Sequence, residues 1–395
     1  MLMNRLVLLL VAAVALMLGA CSAQVAPSPS ASAPPSTPAS PSASPLPSTG
    51  ETPSPAPSAP TEVGWEAASV PDTRNASGIA AIVEGGEGLI AISFDGGFGS
   101  LVWTSVDGRT WTDITPDGFE SIGIVNVVEY DGMLVGVGRG NTIDIESEEA
   151  AVYLSEDGTS WRKVETAEQM TGQMIDLVAT DDGLFAVGGV PGADSAGIWR
   201  STDGEAWERV GGDIEHAFLW SIAEGGPGLV AVGWRRDPEP SAAVWTSIDG
   251  SEWTLAPDPE GYELYEGTDV VDLDGTLVMV GSSLASQEGR FWTSTDGLEW
   301  TIADAPGLET AYPRTLVETP SGVIAVGGGE DMAGTAWIST DGGSWQPFGE
   351  RLDGSYFNSA FVHDGRLFVG GATQAGTLET GIDAHAMIWS TPLSE

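Results

Sequence analysis

From Val63 onward the chain alternates short apolar runs with acidic-glycine turns. Runs such as Val125–Val128 and Ile175–Ala179 are followed by Tyr130-Asp131-Gly132 and Asp181-Asp182-Gly183. A second apolar run then ends in glycine: Leu134–Gly138, Leu184–Gly188, Leu229–Gly233, Leu277–Gly281, Val323–Gly327, Leu367–Gly370. After a variable loop comes a Trp-x-Ser segment, an Asp-Gly turn and a segment ending in Trp. Short alternating or apolar runs between turn residues predict strands, four per unit and each of about five residues. No stretch of this region carries the 3.6-residue period of an amphipathic helix.

The units are in register with one phrase, Ser-x-Asp-Gly-x-x-Trp, at Ser105–Trp111, Ser155–Trp161, Ser201–Trp207, Ser247–Trp253, Ser294–Trp300 and Ser339–Trp345. Its aspartates, Asp107, Asp157, Asp203, Asp249, Asp296 and Asp341, lie 50, 46, 46, 47 and 45 residues apart. Four strands per unit of this period describe one propeller blade. The 333 residues from Val63 to Glu395 hold about seven such units. Ala386–Thr391 matches a third strand with no fourth after it, whereas Val63-Gly64-Trp65-Glu66 matches a fourth strand with none before it. The expected fold is therefore all-β: a single seven-bladed β-propeller of four-stranded antiparallel blades over 63–395. Its last blade joins residues 63–68 to about 357–392, which leaves no open sheet edge.

Of 15 tryptophans, thirteen recur at fixed positions. Trp103, Trp199, Trp245, Trp292, Trp337 and Trp389 precede the Asp position by four residues. Trp65, Trp111, Trp161, Trp207, Trp253, Trp300 and Trp345 end the phrase. Large aromatics at equivalent positions of facing sheets predict blade-to-blade packing.

The phrase resembles the Asp-box, or BNR repeat, of sialidases, sortilin-type receptors, photosystem assembly factors and many bacterial propellers. It departs from that pattern because Gly follows Asp directly. Asp-Gly between strands predicts a two-residue type I′ turn with both residues at positive φ, flanked in the first copy by Val106 and Arg109. The six aspartates are expected to be structural. One per blade supplies too few oxygens for calcium, and no metal or other cofactor is expected.

The resemblance to sialidases implies three arginines, a Tyr–Glu nucleophile pair and an Asp acid/base. An Arg-Ile-Pro motif is absent, Arg74 is the only early arginine of the folded region, and Tyr312-Pro313-Arg314 lies far downstream. His216, His363 and His385 fall in different blades without metal-ligand spacing. No nucleophile elbow, phosphate loop or dinucleotide fingerprint occurs, and no catalytic residue is assigned.

The variable loops between second and third strands (139–150, 190–196, 234–242, 282–290, 328–334 and 371–385) lie opposite the Asp-Gly turns. Binding usually resides on such loops. The two tryptophans outside the repeat, Trp220 and Trp234, fall in the fourth unit, beside His216, Phe218, Arg235 and Arg236. Tyr262, Tyr265, Tyr312, Arg314, Arg351 and Tyr356 read as neighbouring connections between blades. The candidate ligand-binding residues are Trp220, Trp234, Arg235, Arg236, His216, Tyr262 and Arg314.

Ahead of the propeller, Leu6–Leu18 follows one arginine and fits the apolar core of a signal peptide, too short to span a bilayer. Leu18-Gly19-Ala20-Cys21 resembles the lipobox of bacterial lipoproteins. That implies cleavage after residue 20 and lipidation of Cys21, the one cysteine. Residues 21–62, rich in Pro, Ser and Ala, predict a disordered, semi-stiff tether. The mature chain carries a net charge of about −44 with Lys163 as its lone lysine, which disfavours nucleic acid. The acidic stretch Asp144–Glu149 reads as a solvated loop. Together these features predict a monomer, lipid-anchored to the cell membrane and facing the periplasm or cell surface, that binds a protein or glycan without catalysis. The alternatives are a sialidase-like exo-glycoside hydrolase and an assembly factor for a membrane complex.

Overall fold

The structure is a computed structural model. It describes residues 63–71, 78–94, 99–119, 122–139, 149–165, 170–190, 194–237, 239–258, 261–286, 288–329, 333–377 and 381–393. The predicted signal peptide, Cys21, the tether, Arg74 and most of Asp144–Glu149 lie outside these residues.

Seven antiparallel sheets follow one another along the chain. Blade one is built from Gly78–Gly85, Gly88–Phe94, Ser100–Ser105 and Thr112–Asp113, in that order from the axis outward. Blades two to six repeat this order, starting at Gly123, Gln173, Ala217, Tyr265 and Ala311. Blade seven takes Ser355–His363, Arg366–Thr377 and Gly381–Pro392 from the far end and closes with Glu66–Ala67. The seven-bladed expectation holds, including the shared last blade.

The closure is more than a strand pair. Glu66 sits opposite Ser390 and Ala67 opposite Trp389. Arg366 donates to Glu66 at 2.8 Å and to the Ser390 hydroxyl at 2.9 Å. The Trp65 indole N–H donates to the Glu350 carbonyl, and its ring packs edge-on against Phe348 and Phe357.

Between adjacent blades lie seven hydrophobic clusters among the described residues, one per seam. Middle strands are buried on both faces, as in Ile90, Ala91 and Ile92, so they read as continuous apolar runs rather than alternating ones. The repeat tryptophans of the third strands are buried, with Trp103 and Trp292 wholly so. Those ending the phrase also pack inward, and Trp345 stacks on Phe291 of the preceding blade at 3.8 Å between centroids.

The phrase turns differ from the predicted type I′ hairpins. Only the glycine is left-handed, for example Gly108 at φ 67°, and none of the six phrase aspartates has positive φ. Pairing resumes at Thr104 opposite Thr112, so residues 106–111 all belong to the turn and Trp111 sits in it rather than on the fourth strand. The reason is side-chain bonding. The Ser105 hydroxyl accepts the Gly108 N–H at 2.9 Å, and Asp107 Oδ1 accepts the N–H groups of Arg109 and Thr110, each at 2.9 Å. The Trp111 indole N–H then donates to the Gly108 carbonyl. A carboxylate that satisfies two backbone donors stabilises a wider loop than a two-residue turn. Type I′ geometry appears instead between first and second strands, where Asp131 has φ 52° and Gly132 φ 77°. Asp274-Gly275 and Asp364-Gly365 repeat it.

Candidate functional site

The first strand of every blade carries a register shift at the same place: Ile79/Ala81, Ile124/Asn126, Met174/Asp176, Leu219/Ser221, Gly267/Asp269, Pro313/Thr315 and Phe357/Ser359. Each is a β-bulge, which leaves one residue unpaired and re-aims its side chain. The skipped residues are Ala80, Val125, Ile175, Trp220, Thr268, Arg314 and Asn358, and all seven line the axial cavity. Opposite the bulge the backbones crowd. A Cβ on Gly138, Gly188, Gly233 or Gly371 would lie within 2.0 Å of the facing carbonyl oxygen. In blades two to seven the residue at this position is glycine, which relieves the crowding rather than marking a strand end; blade one holds Ser93 opposite the same bulge.

The cavity on the axis has a volume of about 900 Å³, within the usual range for ligand pockets. Trp220 and Arg314, from blades four and six, meet in it through Glu266 of blade five. The Trp220 indole N–H donates to Glu266 Oε2 at 3.1 Å, and Arg314 Nη2 lies 3.5 Å from Oε1. Glu266 is 7% exposed. Tyr312, Tyr356 and Asn358 complete the same side of the wall.

A second polar chain runs around the axis through the residues that follow the bulges. Asn126 donates to Asp176, and Asp176 accepts the N–H of Leu177 at 2.9 Å and of Ile222, in the next blade, at 2.9 Å. The Ser221 hydroxyl donates to Asp269 at 2.7 Å. Asp269 accepts the N–H of Val270 at 2.8 Å and of Leu316, again one blade on, at 2.7 Å. These carboxylates therefore strap blade three to four and blade five to six at the axis. Both line the cavity, yet the surrounding wall removes most of their hydration. Burial, then the nearby Asp176 charge, push Asp269 from 3.8 up to about 7. Burial also raises Asp176, against the pull of its hydrogen bonds.

The predicted site residues separate into three groups. Trp220 and Arg314 share the cavity. Arg314, Tyr312 and Tyr356 belong to first strands rather than to connections, because these strands start earlier and carry the bulge deep in the ring. His216 and Arg236 both bind Asp194 on the surface, with His216 Nδ1 at 3.0 Å. Arg235 pairs with Asp258, while Trp234 lies in the sheet opposite Phe218 and Ala242. Tyr262 is 2% exposed, edge-on to Trp292 in the seam between blades four and five; it packs the core, because the chain turns inward there. Glu266, Asp176 and Asp269 were not anticipated. For Asp176 the signal was an acidic residue inside an otherwise apolar strand, Met174-Ile175-Asp176-Leu177; Glu266 and Asp269 share Tyr265–Leu273, where Thr268 and Asp272 are polar too and neither residue stands out.

Among the described residues no group of three or more His, Cys, Asp or Glu side chains gathers as metal ligands. Among them, too, no helix is long and apolar enough to cross a membrane. Arg314 is the one described arginine that lines the cavity.

Fold and cavity together define a seven-bladed propeller with an axial chamber of ligand size. Residues 59–315 match the DUF6242 beta propeller domain, and the chain belongs to that family. No curated protein matches it. Among solved structures it is similar to Trypanosoma rangeli sialidase, with 14% identity over 72% of this chain and 56% of the sialidase, at a TM-score of 0.46. The chain thus spans little more than half the length of that enzyme. Polysaccharide lyase Uly1 aligns at 10% identity over 84% of this chain and 98% of its own, with a TM-score of 0.52. A Lactobacillus plantarum protein aligns at 10% identity over 79% and 96%, with a TM-score of 0.50. At these identities the likeness shows the fold alone.

Proposed function

We propose that the protein is a membrane-anchored, extracytoplasmic binding module that receives a protein or glycan ligand at the mouth of its axial cavity, without catalysis. The observation that carries this reading is the Trp220–Glu266–Arg314 cluster, in which the one tryptophan lining the cavity among the described residues meets a carboxylate and a guanidinium. An apolar-walled cavity with a few convergent polar groups is the usual form of a ligand site. The bonding of Ser105 and Asp107 in the first phrase turn supports kinship of the phrase with the Asp-box. Among the described residues a single arginine lines the cavity, which favours binding over sialidase-like hydrolysis, for which the resemblance implies three. Capture from native membranes by cross-linking, with a glycan array in parallel, tests the reading on the full chain. Recovery of a ligand that Trp220→Ala releases is expected. Turnover of a fluorogenic sialoside would overturn it. The anchor rests on Cys21 and its flanking sequence. Metabolic labelling with a fatty acid should mark the native chain and miss Cys21→Ala; an unlabelled native chain found free of membranes would overturn that part.

A further inference from the structure

The wall around Glu266 has unsatisfied groups that describe its ligand. Ser282, opposite Glu266 in the register of blade five, is 6% exposed, and its hydroxyl has no hydrogen-bond partner. Asn358 Oδ1, in the cavity wall on blade seven, is likewise without one. Buried polar atoms in a native fold are normally paired with protein or water. Here two of them face the same cavity as an indole ring and a loosely held Arg–Glu pair. The available groups are mostly acceptors (Glu266, Asn358 Oδ1, the Ser282 oxygen) with Arg314 as a strong donor, so the fitting ligand carries several hydroxyl groups that both donate and accept. The indole supplies a flat apolar face. Its N–H bond to Glu266 fixes the ring, so stacking on it costs little ordering.

Charge narrows the class further. Glu266 already faces Arg314, the one arginine lining the cavity among the described residues, and the whole chain carries −43. Carboxylated, sulfated or phosphorylated sugars would meet net repulsion. A simple amine would meet Arg314 beside Glu266.

We infer that the cavity binds an uncharged pyranose unit of a glycan, stacked on Trp220 and held through its hydroxyls by Glu266, Arg314 and Ser282. This rests on the binding-module reading above and names its ligand class. The test is calorimetry and saturation-transfer NMR on the full-length protein. The probes are neutral disaccharides of glucose, galactose, mannose and N-acetylglucosamine, a sialylated and a uronic-acid oligosaccharide, and choline. At least one neutral probe is expected to bind. Trp220→Ala should weaken that probe at least about tenfold, the scale of one lost anchor contact. Glu266→Gln should weaken it less, and Ser282→Ala about threefold. Unchanged thermal unfolding of Glu266→Gln and Ser282→Ala guards against misfolding if Trp220→Ala loses stability. Preference for an acidic probe or for choline overturns the inference and leaves the binding module standing, as does a captured protein partner with no glycan bound. Absence of every ligand, glycan and protein, overturns both.

Discussion

The aspartates of the phrase turns and those of the axial cavity hold the same chemical group to opposite ends. On the turn face Asp107, Asp157, Asp203 and Asp296 each accept two backbone N–H bonds while open to solvent, and those bonds hold their carboxyls below the usual range; Asp157 falls to about 2 through the N–H groups of Ser160 and Thr159. At the axis Asp176 and Asp269 also accept backbone N–H bonds, yet burial outweighs them and raises both. The turn position repeats because its backbone needs a carboxylate. The position after each bulge does not, because the bulge is made by the backbone, with glycine opposite it in blades two to seven and Ser93 in blade one. It holds Ala81, Asn126, Asp176, Ser221, Asp269, Thr315 and Ser359 in turn. Repetition marks what the fold demands. Variation at an equivalent position inside the ring marks what is left for function.

Substitution at glycine gives the sharpest way to break the contrast. Gly233→Ala places a Cβ 1.9 Å from the Phe218 carbonyl oxygen, and backbone cannot give way as a side chain can. The expected loss is at least about 4 kcal/mol, measured by chemical unfolding. Gly250→Ala on the turn face would meet the Phe185 ring at 2.0 Å with φ 77°. A ring can tilt, so the loss should be smaller, about 3 kcal/mol. Equal losses at the two positions would remove the distinction between backbone and side-chain crowding.

Acid titration separates the two carboxylate classes by sign. Asp269 keeps its proton in the folded state up to about pH 7 and loses it near 3.8 when unfolded. The folded state therefore binds more protons in that window, and stability falls as pH rises through it. The effect is on the order of 3 kcal/mol, allowing for water that reaches the carboxyl from the cavity. Asp269→Asn should flatten this part of the pH profile, whatever it does to stability at one pH. A slope unchanged by Asp269→Asn would assign the raised value elsewhere. The turn aspartates act the other way: their contribution is present above the unfolded value and is lost as pH falls toward 2. Asp157→Ala, which frees the Thr159 and Ser160 N–H groups, should cost about 1 kcal/mol at neutral pH, the scale of a lost cap. Asp157→Asn keeps an acceptor and should cost less. A larger loss from Asp157→Ala than from Gly250→Ala would reverse the ranking within the turn.

Blade number, strand order and the shared seventh blade were legible because the phrase recurs every 45 to 50 residues with four strand signals per unit, the makeup of a propeller blade. The turn type was not, since Asp-Gly reads alike in Asp131-Gly132 and Asp107-Gly108. The difference lies in Ser105, whose hydroxyl captures the Gly108 N–H, and in Asp107, which bridges two further donors. The bulges were invisible because a short apolar run such as Val125–Val128 carries no clear alternation whose phase an extra residue could shift; the matching sign was Gly233 and its equivalents, which looked like strand ends. Trp220 and Arg314 stood out as non-repeating residues, but Glu266, which joins them, was hidden among other polar residues in Glu263–Asp269. Tyr262 looked available only because loops adjoin it.

The clasp between Glu66 and Arg366 also sets a timetable. Its two residues stand 300 positions apart, so blade seven cannot be completed until almost the whole chain has been made. The ring must wait open, with the inner edges of its first and sixth blades exposed, while the last strands emerge. Contacts of such long range are slow to form, and unpaired edges invite association with other chains. For this protein the vulnerable moment is its synthesis, and variants that weaken the clasp should show first as poor yield rather than as a lower melting temperature.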